Sequence, residues 1–458
     1  MLEGLGKLVP TEDTIVAIAT PPGRSGIGLV RVSGSLSPQI AQKLLGRSSP
    51  LVHRQATVGL CRDLNGSVLD EVVATFFQAP HSYTGEDMLE ISAHGNPLVL
   101  SAIAHAIQEA GARQAGAGEF TLRAVVHGKL DLIQAEAVRD FINAQTDAQA
   151  KLARLQMNGS LSKRILPERE RLVDIIAHLE AGIDFADDDV RPPENAEALK
   201  RIDIVVAGLQ KLQDSYSFGK FLSNGLRLAI VGKPNVGKSS LFNRLVGSDR
   251  AIVTAIPGTT RDVLSESVSF NGIPLQLLDT AGMRDTMDPI EELGVARSQE
   301  TLAEADLVLL VVDGSSGVDE WDRKIQTRIG NSKHIVVVNK CDLPKARPDD
   351  ASEEFQGIPV SAKTGEGLDS LERAIREYMG DPGTEIQNSI LTSARHFESI
   401  RGALRSLDKG KLALADGTPH EMVLLDMYDA LSQLNELTGE VVTEDILGRI
   451  FSTFCVGK

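Results

Sequence analysis

Residues 226–245 read LRLAIVGKPNVGKSSLFNRL, and this stretch decides the fold of the middle of the chain. An apolar strand runs into a glycine-rich loop, and a helix follows. Gly232 and Gly237 enclose four residues, and Lys238 and Ser239 come next, which is the spacing of a phosphate-binding P-loop. The glycines let backbone N–H groups point at phosphate oxygens, and the helix N-terminus adds its positive dipole. Lys238 would neutralise phosphate charge, and the Ser239 hydroxyl would reach Mg²⁺.

Two further motifs follow where a nucleotide triphosphate site requires them. PGTTRD, residues 257–262, positions Thr260 to bind Mg²⁺ when a γ-phosphate is present, as a switch loop does. DTAG, residues 279–282, comes after the apolar segment IPLQLLD. The Asp279 carboxylate can hold Mg²⁺ through water, and Gly282 can approach the γ-phosphate. The order of these motifs predicts a Mg²⁺-dependent nucleotide site.

The base is predicted by two later motifs. NKCD, residues 339–342, ends an apolar strand, and an Asp at its last position accepts two hydrogen bonds from guanine that adenine cannot donate. Asp342 therefore selects GTP and GDP over ATP. SAK, residues 361–363, supplies a backbone N–H for the guanine O6.

One expected residue is absent from the nucleotide motifs. Ras-type GTPases carry a water-positioning Gln directly after this DxxG motif, and here the position is Met283. Arg284 is a weak candidate for a compensating role. Glu291, in the acidic stretch DPIEE, either turns inward to orient water or begins a solvated helix. The residues alone leave both readings open.

The pattern along the 458 residues predicts several domains, about three at ~150 residues each. An α+β texture covers the first ~125 residues, helical periodicity follows to about Ser217, and strands alternate with helices from about Gly225 to Gly380. Helical periodicity then resumes. We therefore expect an α/β P-loop domain inserted into a helical domain.

Composition limits the classes of function. Apolar content of 42% with no run of ~20 apolar residues argues against a membrane span. Three widely spaced Cys favour a reduced, cytosolic thiol state over disulfides or structural zinc. A net charge of −16 argues against nonspecific nucleic-acid binding. RNA contact would need a local patch, for which the helical segment offers Arg395, Arg401, Arg405, Lys409 and Lys411 as candidates, although such residues more often form a solvated helix face.

The sequence resembles the MnmE (TrmE) family of tRNA modification GTPases over its whole length. The resemblance is carried by the P-loop and PGTTRDV together with TIVAIATPPGRSGIGLVRVSG, HSYTGEDMLEISAHG, GEFTLRAVVHGKLDLIQAEA and LGRIFSTFCVGK. It implies a folate-binding and dimerisation domain of α+β fold (1–125), a helical domain in two parts (126–218 and 385–458) and an inserted G domain (219–384).

The resemblance also implies an activity. The family couples GTP hydrolysis to adding an aminomethyl or carboxymethylaminomethyl group to C5 of the wobble uridine of certain tRNAs. The implied cofactors are GTP or GDP, Mg²⁺, K⁺ and a one-carbon donor, 5-formyltetrahydrofolate or 5,10-methylenetetrahydrofolate. The implied assembly is a cytoplasmic homodimer whose G domains pair to activate hydrolysis, joined by the flavoprotein MnmG (GidA) in a heterotetramer, with no membrane partner.

Site residues follow from the resemblance position by position. Arg31, Glu90, Lys129 and Lys458 match folate-binding positions, Glu291 matches a water-orienting glutamate, and Cys455 matches a Cys-x-Gly-Lys motif with a catalytic role. Mg²⁺ is assigned to Ser239 and Thr260, and K⁺ to Asn235, Thr254, Ile256 and Thr259. The full set of nucleotide and K⁺ positions is Asn235, Val236, Gly237, Lys238, Ser239, Ser240, Thr254, Ala255, Ile256, Pro257, Gly258, Thr259, Thr260, Asp279, Thr280, Ala281, Gly282, Asn339, Lys340, Asp342, Ser361, Ala362 and Lys363.

Two alternatives remain at the level of the residues. PNVGKSSL and GTTRD also occur in ribosome-assembly and RNA-binding GTPases, which usually carry a basic RNA module that this acidic chain lacks. A nucleotide-gated switch without further chemistry is the other. For Cys455, Gly457 and Lys458 do not fit a prenylation signal, which leaves a thiol that acts on substrate or one that only orders the tail.

Overall fold

The protein is described by a computed structural model that covers residues 13–184, 195–247, 266–270, 273–278, 304–316, 319–330, 332–344, 357–379, 391–440 and 444–457. The chain divides into two compact units. The first unit comprises Met1–Arg139, Gln156–Val206 and Ser399–Lys458, and the second comprises Asp140–Leu155 and Ala207–Glu398. Among the described residues, no helix combines the length and the apolar character needed to cross a bilayer.

A six-stranded, mostly antiparallel sheet forms the centre of the first unit. Its strands are β1 (Ile15–Ile18), β2 (Ser25–Ser33), β3 (Ala56–Arg62), β4 (Val68–Phe77), β5 (Met88–Gly95) and β6 (Arg113–Gln114). They lie in the order β3-β4-β5-β2-β1-β6, and only the β1–β6 pair is parallel among them. Alternation of buried and less buried residues along β4 and β5 is the pattern of a sheet with one solvated face.

Two helices cover one face of this sheet. They are α1 (Ser37–Leu44) and α2 (Pro97–Glu109), and their apolar residues join those of the strands in a single buried cluster. Asn96 begins α2 because its side chain accepts a hydrogen bond from the Leu98 N–H, and Pro97 occupies the first helical position. This layer is the main core of the unit.

The opposite face of the sheet is only partly covered. Near β1, helix α3 (Glu119–Val126) packs over it through a cluster of Ile15, Ala17, Ala115 and Phe120. Towards β3 the same face is bare: Val58, Leu60 and Val73 are 65%, 44% and 40% exposed. We call these three residues the open face.

The rest of the first unit is helical. It includes α4 (Leu132–Asn143), α6 (Ser162–Asp184), α7 (Asn195–Asp214) and, near the C-terminus, the helices α12 (Ala394–Ala415), α13 (His420–Thr438) and α14 (Glu444–Phe451). Helix α5 (Asp147–Met157) belongs to the second unit except for its last two residues. The boundaries between the two units fall inside α4, α5, α7 and α12. Helix α6 packs on α13, where Arg169 bonds both Asn435 and Glu440.

The second unit is a parallel sheet with helices on it. Its strands are β7 (Leu226–Val231), β8 (Glu266–Phe270), β9 (Ile273–Leu278), β10 (Leu307–Asp313), β11 (His334–Asn339) and β12 (Ile358–Pro359), in the order β12-β11-β10-β7-β9-β8. Only β8 pairs antiparallel among these described strands. The helices are α8 (Tyr216–Asn224), α9 (Lys238–Gly247), α10 (Glu320–Ile329) and α11 (Leu368–Met379).

Strand β10 lies inside this sheet and is buried along most of its length. Its first six residues, LVLLVV, are all buried, as expected for a parallel strand with a covered face on each side. The multidomain fold predicted from the sequence, with α+β, helical and α/β regions, is thus confirmed. The predicted domain limits at residues 125, 218 and 384 remain a prediction.

Candidate functional site

The P-loop of the second unit lies between β7 and α9, as its motif predicts. Gly232 and Gly237 have positive φ angles of 155° and 97°, and Asn235 has a φ of 62°. A Cβ at Gly237 would lie 2.2 Å from the Asn339 Nδ2, and one at Gly232 would lie 2.3 Å from the Val311 carbonyl oxygen. Both positions therefore require glycine for space as well as for backbone conformation.

Lys238 and the start of α9 form the cationic part of this loop. The Lys238 Nζ donates to the carbonyl oxygens of Gly232 at 2.9 Å and Lys233 at 2.6 Å. Ser239 and Ser240 follow in the first turn and are exposed. The N–H groups of that turn and the helix dipole favour an anion here.

Asn339 joins the P-loop to the two base-reading motifs. Its side chain is buried, its Nδ2 donates to the Val236 carbonyl at 2.7 Å, and its Oδ1 accepts the Ala362 N–H at 2.9 Å. One amide thus holds three separate segments together. The Ala362 N–H is engaged by this bond, which the sequence could not indicate.

Lys340 and Asp342 lie on either side of Cys341 in the turn after β11. Lys340 has a φ of 64°, and its Nζ contacts the Asp313 Oδ2 at 2.6 Å. Burial raises the pKa of Asp313, but hydrogen bonds from Lys340 and Ser315 outweigh burial and lower it overall. Asp342 is exposed at the surface of this turn. A side-chain carboxyl group at this place has oxygen acceptors for the paired donors of a guanine edge.

Arg244 supports the base loop from α9. Its Nε donates to the Ala362 carbonyl at 3.1 Å, and its Nη2 donates to the Lys363 carbonyl at 2.7 Å. Ser361 is buried and its hydroxyl accepts the Thr364 N–H, which shapes the turn. The helix that begins at Lys238 therefore also holds the loop that contains the SAK motif.

The first unit contains a second polar constellation on its sheet. Arg31 of β2 and Glu90 of β5 are directly opposite in the strand register. The Arg31 Nε and Nη2 donate to the Glu90 Oε1 at 3.0 and 2.8 Å. The Arg31 Cζ lies 5.7 Å from the centre of the Tyr83 ring and 5.8 Å from that of Phe120. The guanidinium of this partly buried ion pair thus lies within cation–π distance of two aromatic rings.

The backbone near the C-terminus contacts Arg31 of this ion pair. The Gly457 carbonyl accepts a hydrogen bond from the Arg31 Nη1 at 3.4 Å, and Val456 forms an antiparallel bridge with Ala117. The Gly118 N–H donates to the Cys455 carbonyl at 3.4 Å. The Cys455 side chain is exposed. Helix α14 anchors the tail, because Phe451 and Phe454 pack into a cluster with residues of α3 and α4.

Lys129 does not bond to this ion pair. Its Nζ donates to the Pro80 carbonyl at 3.1 Å, and its side chain would touch a Cβ at Gly85. The segment of residues 80–85 also contains Tyr83, whose hydroxyl pairs with Thr121 at 2.9 Å. Lys129 is therefore connected to Arg31 through this segment.

A buried arginine fixes the other side of the same segment. Arg123 is fully buried and contacts Asp13, Glu86 and Glu119 at 2.6–3.1 Å. Burial raises the pKa of Glu119, but hydrogen bonds from Arg113, the Gly116 N–H and Arg123 outweigh burial and lower it. This network fixes the side chain of Glu86, three residues after Tyr83 in the chain.

Comparison with known proteins gives the family. Residues 14–129 match the model described as "GTP-binding protein TrmE N-terminus", and residues 132–455 match the "MnmE helical domain". A tRNA modification GTPase MnmE of Koribacter versatilis is 47% identical over 98% of this chain and 99% of its own length. The chain belongs to the MnmE family of tRNA modification GTPases.

Other relatives agree with this placement. The MnmE protein of Aquifex aeolicus is 44% identical over 97% of this chain and 100% of its own length. The G domain of the Thermotoga maritima FeoB iron transporter is 28% identical over 33% of this chain and 98% of that chain. Its TM-score of 0.25 is too low to support a conclusion. The MnmE resemblance and the fold class predicted from the sequence are confirmed.

Several MnmE positions predicted from the sequence lie outside the described residues. These are Thr254, Ala255, Ile256, Pro257, Gly258, Thr259, Thr260, Asp279, Thr280, Ala281, Gly282, Glu291 and Lys458. Among the described positions, the P-loop residues, Asn339 and Ala362 come together directly. Arg244, Tyr83 and Phe120 were missed: they lie in the quoted segments LRLAIVGKPNVGKSSLFNRL, HSYTGEDMLEISAHG and GEFTLRAVVHGKLDLIQAEA, but no spacing within those segments gives them a role in either site.

Proposed function

We propose that this GTPase binds and hydrolyses GTP at the P-loop of its second unit and uses the cycle to modify tRNA. The observation that carries the proposal is the Asn339 side chain, which bonds Val236 of the P-loop and Ala362 of the base loop. Lys238 would neutralise phosphate charge, and Asp342 would accept the guanine N1–H and 2-amino group. The residues thus fit a guanine nucleotide at both of its ends.

Mg²⁺ is part of this proposal. Among the described residues no cluster of three or more His, Cys, Asp or Glu side chains could hold a metal ion. Mg²⁺ bound through a hydroxyl and nucleotide phosphates needs no such cluster, and the exposed Ser239 hydroxyl lies at the start of α9. Mg²⁺ with Ser239 and Thr260 would offset charge on the β- and γ-phosphates.

Base selection tests the nucleotide assignment. In Asp342→Asn the carboxylate acceptor becomes an amide, so we expect GTP affinity to fall by about 100-fold or more and xanthosine triphosphate to bind better. Titration calorimetry with both nucleotides measures the change. Asp369→Asn, an exposed acid at the start of α11, serves as the control. Unchanged preference for GTP in Asp342→Asn would contradict the proposal.

We propose K⁺ as an activator of hydrolysis, bound by Asn235 with Thr254, Ile256 and Thr259, and Glu291 as the residue that orients water. A cation there would offset charge that develops on the phosphates. Asn235 supports this, because it is exposed and held in a left-handed conformation within the P-loop. Hydrolysis should be faster in K⁺ than in Na⁺, and Asn235→Ala should abolish the difference while Asn243→Ala keeps it. Equal wild-type rates in the two salts would reject K⁺.

We propose that the Arg31–Glu90 pair binds a tetrahydrofolate, 5-formyl or 5,10-methylene, as the one-carbon donor, with Lys129, Cys455 and Lys458 near it. A pterin has paired N–H donors for the Glu90 carboxylate and a flat face for the partly exposed ring of Tyr83, and both features support the assignment. Titrating 5-formyltetrahydrofolate should give saturable binding that Glu90→Gln weakens and Arg47→Ala does not. Absent binding to the wild type would remove the folate role.

We propose that the chain acts in the cytoplasm as a homodimer. This homodimer would join the flavoprotein MnmG in a heterotetramer that acts on tRNA. The open face supports self-association, since apolar side chains on an uncovered sheet face are costly in water. Val58→Asp should give a monomer in sedimentation, and Leu98→Asp, 79% exposed on α2, should not. A dimer that survives Val58→Asp would place the contact elsewhere.

The modification itself is tested in cells. Nucleoside analysis of tRNA from cells without this protein should lose the aminomethyl or carboxymethylaminomethyl group at C5 of the wobble uridine. The wild-type gene should restore it, and Lys238→Ala should not, because that variant lacks the phosphate cation. An unchanged nucleoside profile would separate this protein from tRNA modification.

A further inference from the structure

Lys233, the first residue after Gly232 in the P-loop, is anchored to the start of α10. Its Nζ lies 2.5 Å from the Asp319 Oδ1 and 2.6 Å from the Asp322 Oδ2. The Lys233 side chain is 20% exposed and that of Asp322 only 2%. Burial lowers the pKa of Lys233, but its hydrogen bonds to both carboxylates outweigh burial and raise it. The P-loop therefore has a charged anchor that the motif does not require.

The two carboxylates that hold Lys233 also cap α10. The Asp319 side chain accepts the N–H groups of Trp321 and Asp322, and the Asp322 side chain accepts the Asp319 N–H, a reciprocal capping box. The second oxygen of Asp322, Oδ1, is buried without a hydrogen-bond partner among the described residues. The positive charge of Lys233 thus offsets the cost of burying the Asp322 carboxylate, whose side chain is almost fully buried.

The backbone of Lys233 contacts the phosphate lysine. The Lys238 Nζ donates to the Lys233 carbonyl at 2.6 Å, five residues away along the loop. One residue therefore holds Lys238 through its carbonyl and the α10 cap through its ammonium. A shift of the loop that moves the Lys233 main chain also pulls on Asp319 and on Trp321 beyond it.

We propose that Lys233 is a positioning residue that fixes the P-loop to the N-terminus of α10, preorganises it for phosphate and transmits nucleotide binding to the exposed side of α10. The proposal rests on the proposed GTP site and adds a residue to it. A glycine-containing loop held in its binding shape loses less conformational freedom when the ligand arrives, which increases affinity. The anchor should therefore affect nucleotide affinity more than the chemical step.

The fluorescence of Trp321 can be used to follow the contact between Lys233 and Asp319. Trp321 is the single Trp of the sequence, it is 44% exposed, and its backbone N–H donates to the carboxylate of Asp319, which also holds Lys233. Its fluorescence reports on the α10 cap without any added label. A purely structural ion pair would leave this signal unchanged when nucleotide binds.

The test uses the full-length protein with GDP and GTP. Lys233→Met should raise Kd for GDP and KM for GTP by about tenfold with kcat nearly unchanged, and Lys233→Arg should restore most of the affinity. Wild-type Trp321 emission should change on GDP addition, and Lys233→Met should lose that change even at saturating GDP. The control is Lys324→Met, which removes an exposed lysine of α10 paired with Glu320.

Asp319→Asn tests the contact from the other side with little risk to folding, since that side chain is 61% exposed. It should weaken GDP binding, and combining it with Lys233→Met should add little further loss. The proposal would be overturned if Lys233→Met had the same Kd for GDP and the same GDP-induced change in Trp321 emission as the wild type. Equal effects of Lys233→Met and Lys324→Met would also overturn it. If the wild type binds neither nucleotide, the proposed function fails and this inference with it. If the wild type binds both nucleotides normally and Lys233→Met and Asp319→Asn bind GDP as tightly as the wild type, this inference alone fails.

Discussion

The Arg31 guanidinium donates a hydrogen bond to the Gly457 carbonyl, across 426 residues of chain. Gly457 has a φ of 96°, and a Cβ there would lie 2.7 Å from the Ile18 carbonyl oxygen of β1. The backbone at Gly457 therefore contacts both the Arg31 side chain and β1, and only glycine fits at this position. This contact brings Cys455 to the side of the sheet that carries the Arg31–Glu90 pair.

Replacing Gly457 should detach the tail. Gly457→Ala adds a methyl group where the backbone leaves no space, so we expect 5-formyltetrahydrofolate affinity and tRNA modification to fall at least about fivefold. GTP hydrolysis by the second unit should stay within about twofold. Gly448→Ala on α14 is the matched control, because nothing lies within 4 Å of a Cβ there. Equal effects of the two substitutions would show that the tail contact has no role in the site.

Arg244 gives a prediction about the base loop. Arg244→Ala removes two hydrogen bonds to the carbonyls of Ala362 and Lys363, so GDP affinity should fall about three- to tenfold. Arg244→Lys should recover little, because an ammonium cannot reproduce the planar fork of donors. Calorimetry with GDP measures both variants. Arg328→Ala, on the exposed side of α10, should bind GDP normally. Full affinity in Arg244→Ala would mean that the loop holds its shape without this support.

The three cysteines should differ in reactivity. Burial, together with Asp70, raises the pKa of Cys61 to about 11, so almost no thiolate forms near neutral pH. Cys455 is exposed, and Cys341 is partly buried in the base-reading turn. Alkylation with iodoacetamide at pH 7.5, followed by peptide mass spectrometry, should label Cys455 first and Cys61 last. GDP should slow labelling of Cys341 and leave Cys61 unaffected. Fast labelling of Cys61 would contradict its placement in the core.

Asp306 gives a prediction about pH. Burial raises its pKa, but hydrogen bonds from Arg227 and Lys220 outweigh burial and lower the pKa below the ordinary value of 3.8. A carboxyl with a lowered folded pKa stabilises the fold above its unfolded pKa and loses that contribution as pH falls through the folded pKa. Asp306→Asn should therefore lower the free energy of unfolding by about 2 kcal/mol at pH 7 and pH 5 alike.

The difference between wild type and Asp306→Asn should shrink only below pH 3.8. Urea unfolding followed by circular dichroism measures it, with Asp369→Asn as the exposed control. A difference that already narrows between pH 7 and pH 5 would show that Asp306 has a raised pKa, and the assigned ion pairs would then be wrong.

Much of the nucleotide site was predictable because its chemistry is local. The spacing of Gly232, Gly237 and Lys238 needs only a strand, a loop and a helix in succession, and β7 and α9 supply them. The long-range partners were not predictable. Asn339 was known as a motif residue, but its bond to Val236 depends on how two strands of a parallel sheet are ordered.

The site of the first unit shows the same limit. Arg31 and Glu90 were indicated through family resemblance, and the register of β2 and β5 explains their pairing. Lys129 was assigned to the same site, yet its ammonium bonds to the Pro80 carbonyl. Tyr83 and Phe120 were missed because their contacts with Arg31 require a turn and a helix, both distant in sequence, to pack against one strand.

Local features follow from the amino-acid sequence alone: a P-loop whose glycines and lysine have a fixed spacing, strands and helices with their own periodicities, and the motifs that define the family. Short-range backbone geometry is enough for those. The contacts of Lys233 with Asp322, of Arg244 with Ala362 and of Gly457 with Arg31 depend on the folded chain. Such contacts join residues far apart in the chain, and the packing of sheets and helices, rather than sequence spacing, brings them together.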